Sequence, residues 1–264
     1  MRLTKSYTLI ALLAGVALAG NAYASGDSKH EAPKTANKCI GAGPQAPRDI
    51  DKLAGNNQVV FEMAPAISEM DLCNVHFHRN AEHKAAAYSV FVKDGEHSGW
   101  ACKEPAPGRL DNEHAEHNGC QGIAEGDTIE VHWVYISCDT KSEGIAPMGG
   151  GLSACMTTTC SNPELRVVAQ DFVLEKDGKL KFSDTAPISH DAPSVEYIGS
   201  TTGPTYNNGH CSPFQVTWEV KTTCDTLDID DFSKWCSNNQ YHENHAHGCR
   251  ELVTPENLLS PIKK

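Results

Sequence analysis

The 264-residue chain has no Cys-x-x-Cys pair, no internal repeat and, beyond residue 24, no long apolar run. Without Cys-x-x-Cys, a metal held by clustered cysteines loses its usual spacing. Without a second apolar run, nothing in the mature chain is long enough to span a bilayer, and the protein reads as soluble with no membrane insertion. Positive charge is also scarce, with 22 Lys and Arg against 34 Asp and Glu, a net of −12. That deficit excludes nucleic acid and anionic membrane surfaces as natural partners, because both need a positive face. The 21 glycines and 14 prolines are spread along the chain, so no linker divides it.

What is present begins with a leader. Arg2 and Lys5 open the chain, Leu9 to Gly20 is an apolar run too short for a membrane helix, and Ala22-Tyr23-Ala24 is a small-x-small cleavage site. Residues 1–24 therefore read as a secretory signal peptide, and the protein as exported, periplasmic or secreted. Its removal leaves 20 basic against 34 acidic residues, a net of −14. Residues 25–38 are polar and read as a flexible arm. All eleven cysteines lie beyond the leader. In an exported chain they read as a disulfide framework, and the odd count leaves one over. By proximity alone, Cys102–Cys120, Cys155–Cys160 and Cys236–Cys249 are plausible pairs.

Strand patterns outnumber helical ones. Residues 57–63, 72–78, 87–92, 127–137, 165–175 and 214–221 read as strands, 176–179 as a hairpin turn and 228–236 as a short helix with an acidic first turn. A further turn of helix is read near 254–259, and 197–213 as turn-rich. The fold class is mainly β, around a mostly antiparallel sheet with few helices.

The chemistry-bearing stretch is Asn74-Val75-His76-Phe77-His78-Arg79-Asn80-Ala81-Glu82-His83. On a strand, side chains alternate, so His76 and His78 share one face and can share a metal. In 127–137, Ile129, Val131, Trp133 and Tyr135 form an apolar face, while Glu130, His132 and Val134 point the other way, towards a cleft. If the two strands are neighbours, His76, His78 and His132 converge. Three imidazoles with an open fourth position make a catalytic rather than a structural zinc site. Each imidazole needs its second nitrogen held, and Asn74 and Glu130, each two residues before a ligand, can do that.

At these residues the chain resembles the carbonic anhydrases, nearest to the delta class and with alpha-class echoes. Asn74 to His83 is similar to the family's His-x-His strand with its following Glu-His element. Glu130-Val131-His132-Trp133 is similar to its third-ligand strand, and Ser200-Thr201-Thr202-Gly203-Pro204 to its Ser-Leu-Thr-Thr-Pro-Pro loop. Val216-Thr217-Trp218 is similar to its Val-Thr-Trp strand, and Cys39-x-Gly-x3-Gln-x-Pro to its N-terminal segment. The resemblance implies an alpha-carbonic-anhydrase-like twisted sheet with peripheral helices and long disulfide-tied loops, in one catalytic domain over 39–264. It implies Zn2+ on His76, His78 and His132, and reversible hydration of CO2 to bicarbonate by zinc-bound hydroxide.

By the same resemblance, Glu82 accepts from Thr201, which orients the hydroxide. Thr202 binds the CO2 oxygen through its amide, and Val134, Val216 and Trp218 wall the CO2 pocket. It also implies a Cys39–Cys211 disulfide. No residue matches the usual proton-shuttle histidine, and His83, His97, His114 and His117 are the candidates. Oligomeric state stays open. Two rival readings remain. A cupin-type oxygenase or isomerase would use His76-x-His78-x3-Glu82 and His132, with Glu82 as a ligand to iron or manganese. A non-catalytic periplasmic metal-binding protein would use the thirteen histidines, with His242, His245 and His247 in a polar tail read mainly as solvated.

Overall fold

The two longest alternating stretches of the sequence become neighbours in the centre of a five-stranded sheet. The computed structural model describes residues 38–104, 116–140, 147, 149–156, 163–189, 191–201, 206–249 and 253–262. The leader, almost all of the arm, His114, Cys160 and Thr202 lie outside them. In chain order the elements are β1 (Asp71–Arg79), β2 (Val90–Val92), β3 (Gly99–Ala101), β4 (Glu116–His117), β5 (Cys120–Gln121), β6 (Thr128–Ile136), α1 (Gly151–Met156), β7 (Leu165–Glu175), β8 (Ser194–Ser200), β9 (Gln215–Asp228) and α2 (Ile229–Ser237).

The main sheet runs β1-β6-β7-β9-β8. Three of its pairings are antiparallel, and β7–β9 is parallel. The expected strand over 165–175 is reproduced residue for residue, and that over 214–221 extends to Asp228. Three local expectations fail. Residues 57–63 form no strand: Gln58 to Met63 are exposed, so their β-prone side chains lack the half-buried surface on which a strand depends. The turn after β7 exists, with Asp177 at φ 58°, but the chain then joins β9 through a Leu180–Leu227 bridge instead of doubling back on β7 as a hairpin. Residues 197–213 read as turn-rich, yet 197–200 belong to strand β8, which pairs with β9 over its whole length.

Both faces of the sheet are covered. One core packs Val75, Phe77, Ile129, Val131, Trp133 and Phe172 against Ile229 and Phe232 of α2. The opposite core gathers Val134, Val167, Ala169, Val216, Trp218 and Val220. Every residue of β6 is buried, so Glu130 and His132 stand in an enclosed face and not on the wall of an open cleft.

Disulfides join Cys39–Cys211, Cys73–Cys155, Cys102–Cys224 and Cys120–Cys236. Cys249 is free, its thiol 3.3 Å and 3.2 Å from the carbonyls of Arg79 and Asn80. The three pairings expected from proximity are thus corrected. Cys102 and Cys120 pair with β9 and α2 instead of with each other. Cys155 fastens α1 to β1, and Cys236 is taken by Cys120. A disulfide framework of this kind belongs to an oxidising compartment. Among the described residues no helix is long and apolar enough to cross a membrane.

Candidate metal centre

The antiparallel register of β1 on β6 sets His76 opposite His132 and His78 opposite Glu130. The alternation that sends Val75 and Phe77 into one core sends Asn74, His76 and His78 to the other face. The three imidazoles are buried, and one nitrogen of each lies within 4.8 Å of the others. His132 Nδ1 is 3.3 Å from His76 Nε2. Two nitrogens bound to a tetrahedral zinc at 2.0–2.1 Å stand about 3.3–3.4 Å apart, so this edge already has the spacing the ion requires.

The other nitrogens of His76 and His78 are engaged. His76 Nδ1 is 2.7 Å from Asn74 Oδ1, and His78 Nδ1 is 3.1 Å from the Gly248 carbonyl. His132 Nε2 stands 3.2 Å from Glu130 Oε2. Backbone carbonyls and amide oxygens accept, so they hold Nδ1 as donor and leave Nε2 of His76 and His78 with its lone pair facing the centre. Burial pushes the His76 imidazole well below its ordinary value, and the neighbouring rings His132 and His247 add to this. Burial also brings His78 down to about 3, against the pull of Glu82. Neutral imidazoles are the form that binds a metal.

Behind the ligands sits a buried acidic network. Glu130 Oε1 is 2.7 Å from His83 Nδ1, and Glu130 Oε2 accepts from the Glu82 backbone N–H at 2.8 Å. Burial opposes ionisation of Glu130, but His83 and His132 hold its carboxyl well below the usual range. His83 continues to the Tyr197 hydroxyl at 2.8 Å. His83, Glu130 and His132 also converge closely enough to suggest a metal set, but the Glu130 oxygens are already occupied by these contacts. The Glu82 carboxylate stands near Arg48 at 3.7 Å and near His78 Nδ1 at 4.0 Å. Glu82 does not belong to the group of side chains whose ligand atoms gather at the three-histidine centre.

Thr201 is buried, with its hydroxyl 2.6 Å from Ser212 Oγ and its N–H donated to the Phe214 carbonyl. Val134, Val216 and Trp218 are buried together, and the Trp218 ring is 5.4 Å from that of His132. Of the shuttle candidates, His83 is completely buried in the Glu130 network, His97 bonds the His247 carbonyl, and His117 pairs with Asp230.

The C-terminal segment is the main surprise. Of its histidines, read as solvated, His242 and His245 are exposed, but His247 is half-buried in a strip bonded to β1 and β5: His247 N donates to Phe77 O at 2.8 Å and Ala246 N to Gln121 O at 3.0 Å. The His247 ring is 5.1 Å from that of His76 and stacks on His245 at 5.2 Å. His247 Nε2 lies 2.7 Å from Glu243 Oε2. Gly151, at φ +68°, passes beside this pair, where a Cβ would lie 3.5 Å from His247 Cε1 and 3.7 Å from His76 Cδ2. None of Glu243, His247 or Gly248 carries a spacing to His76 or His78 that a sequence pattern could reveal.

Among solved structures, one similar chain is the alpha-carbonic anhydrase of Thermovibrio ammonificans in complex with the inhibitor sulfanilamide, 15% identical, with a TM-score of 0.28, covering 84% of this chain and 87% of that one. No curated protein matches the sequence. A match to the delta carbonic anhydrase family spans residues 67–231, more than half of the chain. It takes in β1 with His76 and His78, β6 with His132, and Thr201 at the end of β8. The arrangement around the three histidines and the extent of that match give one conclusion: this chain belongs to the delta carbonic anhydrase family.

Proposed function

We propose that the protein is a zinc enzyme of an exported compartment, periplasmic or extracellular, that reversibly hydrates CO2 to bicarbonate and a proton. One observation carries this reading. Three buried imidazoles converge, two kept neutral by burial with their second nitrogens held by Asn74 and Gly248, and the third with its second nitrogen 3.2 Å from Glu130. Zinc at that point supplies a Lewis acid that makes water nucleophilic near neutral pH. The familiar pKa of about 7 for such water is a general value for carbonic anhydrases and is not obtained from this chain.

The remaining chemistry falls to the chain. Thr201 orients the attacking oxygen, and Glu82 accepts the Thr201 hydroxyl proton in a hydrogen bond. In the structure the Thr201 hydroxyl is 2.6 Å from Ser212 Oγ. Val134, Val216 and Trp218 offer CO2 a dry apolar wall, suited to a small uncharged substrate. Thr202, assigned to the CO2 oxygen, lies outside the described residues. The cupin reading needs Glu82 on the metal, and Glu82 is not among the side chains that gather at the centre.

The test is a CO2-hydration assay on purified, oxidised protein with metal analysis. Zinc-loaded wild type should exceed the buffer rate and hold one zinc per chain. His132→Ala should lose zinc and activity together. Glu82→Gln should keep zinc and turn over about 10–100-fold more slowly, the usual scale for removing a residue that supports a metal site. Zinc-loaded wild type no faster than buffer would sink the assignment.

A further inference from the structure

We infer that Glu243 is a positioning residue for metal capture: it fixes the amide of Asn74 and, through that amide, which nitrogen of His76 carries the proton. The inference rests on the zinc reading above, but its first readout does not need zinc.

Glu243 is 1% exposed and belongs to the segment after α2, far in sequence from every ligand. Its backbone is pinned by Asn239, which accepts from Glu243 N at 3.1 Å and donates to Glu243 O at 2.7 Å. Its carboxylate receives three donors. Gly150 N donates to Oε1 at 3.0 Å, His247 Nε2 to Oε2 at 2.7 Å, and the Asn74 side chain bonds to the same carboxylate. Three chain segments, β1, the approach to α1 and the C-terminal strip, thus meet at one group. Burial alone would favour the neutral acid, but these donors hold the carboxyl below its ordinary value.

The consequence follows from the shape of an amide. Asparagine presents an oxygen and an NH2 of nearly equal size, and a half-turn exchanges them. With its NH2 towards His76, Asn74 would meet Nδ1 as an acceptor, and the ring proton would move to Nε2, the nitrogen that must bind the metal. An ionised carboxylate only accepts, so Glu243 draws the Asn74 NH2 and turns its oxygen to His76 Nδ1, 2.7 Å away. Nδ1 must then be the donor, and Nε2 keeps its lone pair facing His132 Nδ1. A neutral amide at 243 can play either role and loses the discrimination while keeping the shape.

The experiment compares wild type, Glu243→Gln, Glu243→Ala and His247→Ala. In zinc-free protein at pH 8, long-range 1H–15N correlation of the imidazoles reports the protonated nitrogen of His76. Wild type should show Nδ1–H alone, and Glu243→Gln a mixture of both tautomers. Zinc loss to a chelator should be about 10–100-fold faster in Glu243→Ala, intermediate in Glu243→Gln, and within about threefold of wild type in His247→Ala, which removes one donor and leaves Asn74 in place. An unchanged tautomer and unchanged zinc loss in Glu243→Gln would overturn the inference, and so would His247→Ala reproducing the full effect. Should the alanine variant not fold, the isosteric Gln variant decides. A wild type that binds no zinc while Glu243 still fixes the tautomer would fail the zinc reading and leave this one standing.

Discussion

At the scale of single residues, the cost of the site is the burial of neutral imidazoles. The ordinary histidine value is 6.5, and the folded protein lowers His78 to about 3 and His76 well below that ordinary value, chiefly by burial. Unfolded chains therefore take up protons that the metal-free fold refuses. Stability is full above pH 6.5 and falls as the pH drops below it, by up to about 1.4 kcal/mol per pH unit for each such imidazole. Urea midpoints of chelator-treated protein should be level between pH 7 and 8 and decline steadily to pH 5. His78→Gln should flatten the decline, and a wild-type midpoint unchanged down to pH 5 would contradict the argument. The shared facing of these side chains was legible in the sequence because a strand repeats every two residues, which places His76 with His78 and Glu130 with His132. Their outer partners Gly248, Glu243 and His247 were not, since they arrive from some 170 residues away and obey no period. His83 was visible only as one of several histidines, and nothing in Ala81-Glu82-His83 announces that it is sealed against Glu130 and Tyr197.

At the scale of elements, legibility followed burial. Strands β6 and β7, apolar through most of their length, were read to within a residue, whereas β8 starts on exposed and half-buried positions and ends in Gly199-Ser200, which resembles the start of a turn. Helix α2 was foreseen from its acidic first turn, and the structure supplies the reason: Asp228 Oδ1 accepts from Asp231 N at 2.8 Å as the N-cap. Asp228→Ala should cost about 1 kcal/mol, and Asp228→Asn much less, in urea titrations. Phe232, fully buried and edge-on to Phe77 at 5.0 Å, anchors α2 to the back of the histidine strand. Phe232→Ala should cost about 3–5 kcal/mol.

At the scale of the whole molecule, the disulfides fasten the sheet to its surroundings. Cys102–Cys224 ties the segment after β3 to β9 and Cys73–Cys155 ties α1 to β1, one residue from Asn74. Replacing Cys102 and Cys224 together by serine should lower stability by about 2–5 kcal/mol, read as a fall in the thermal midpoint of the oxidised protein. Zinc content should be retained, because neither cysteine touches the histidine centre. Proximity failed as a guide to these pairs because the fold, not the spacing, decides which cysteines meet.

The same connectivity governs how the chain reaches its native form. The four bridges described above, between described residues, span 82 to 172 residues, yet shorter loops close more readily. Joining Cys102 to Cys120 is favoured over joining it to Cys224 by about 1.7 kcal/mol of closure entropy in an unstructured chain. The pairs nearest in sequence are therefore the kinetic traps of oxidative refolding. Escape from them requires thiol–disulfide exchange. Refolding from the reduced chain should pass through a Cys102–Cys120 species, trappable by rapid alkylation and peptide mapping, and a disulfide isomerase should raise the final yield.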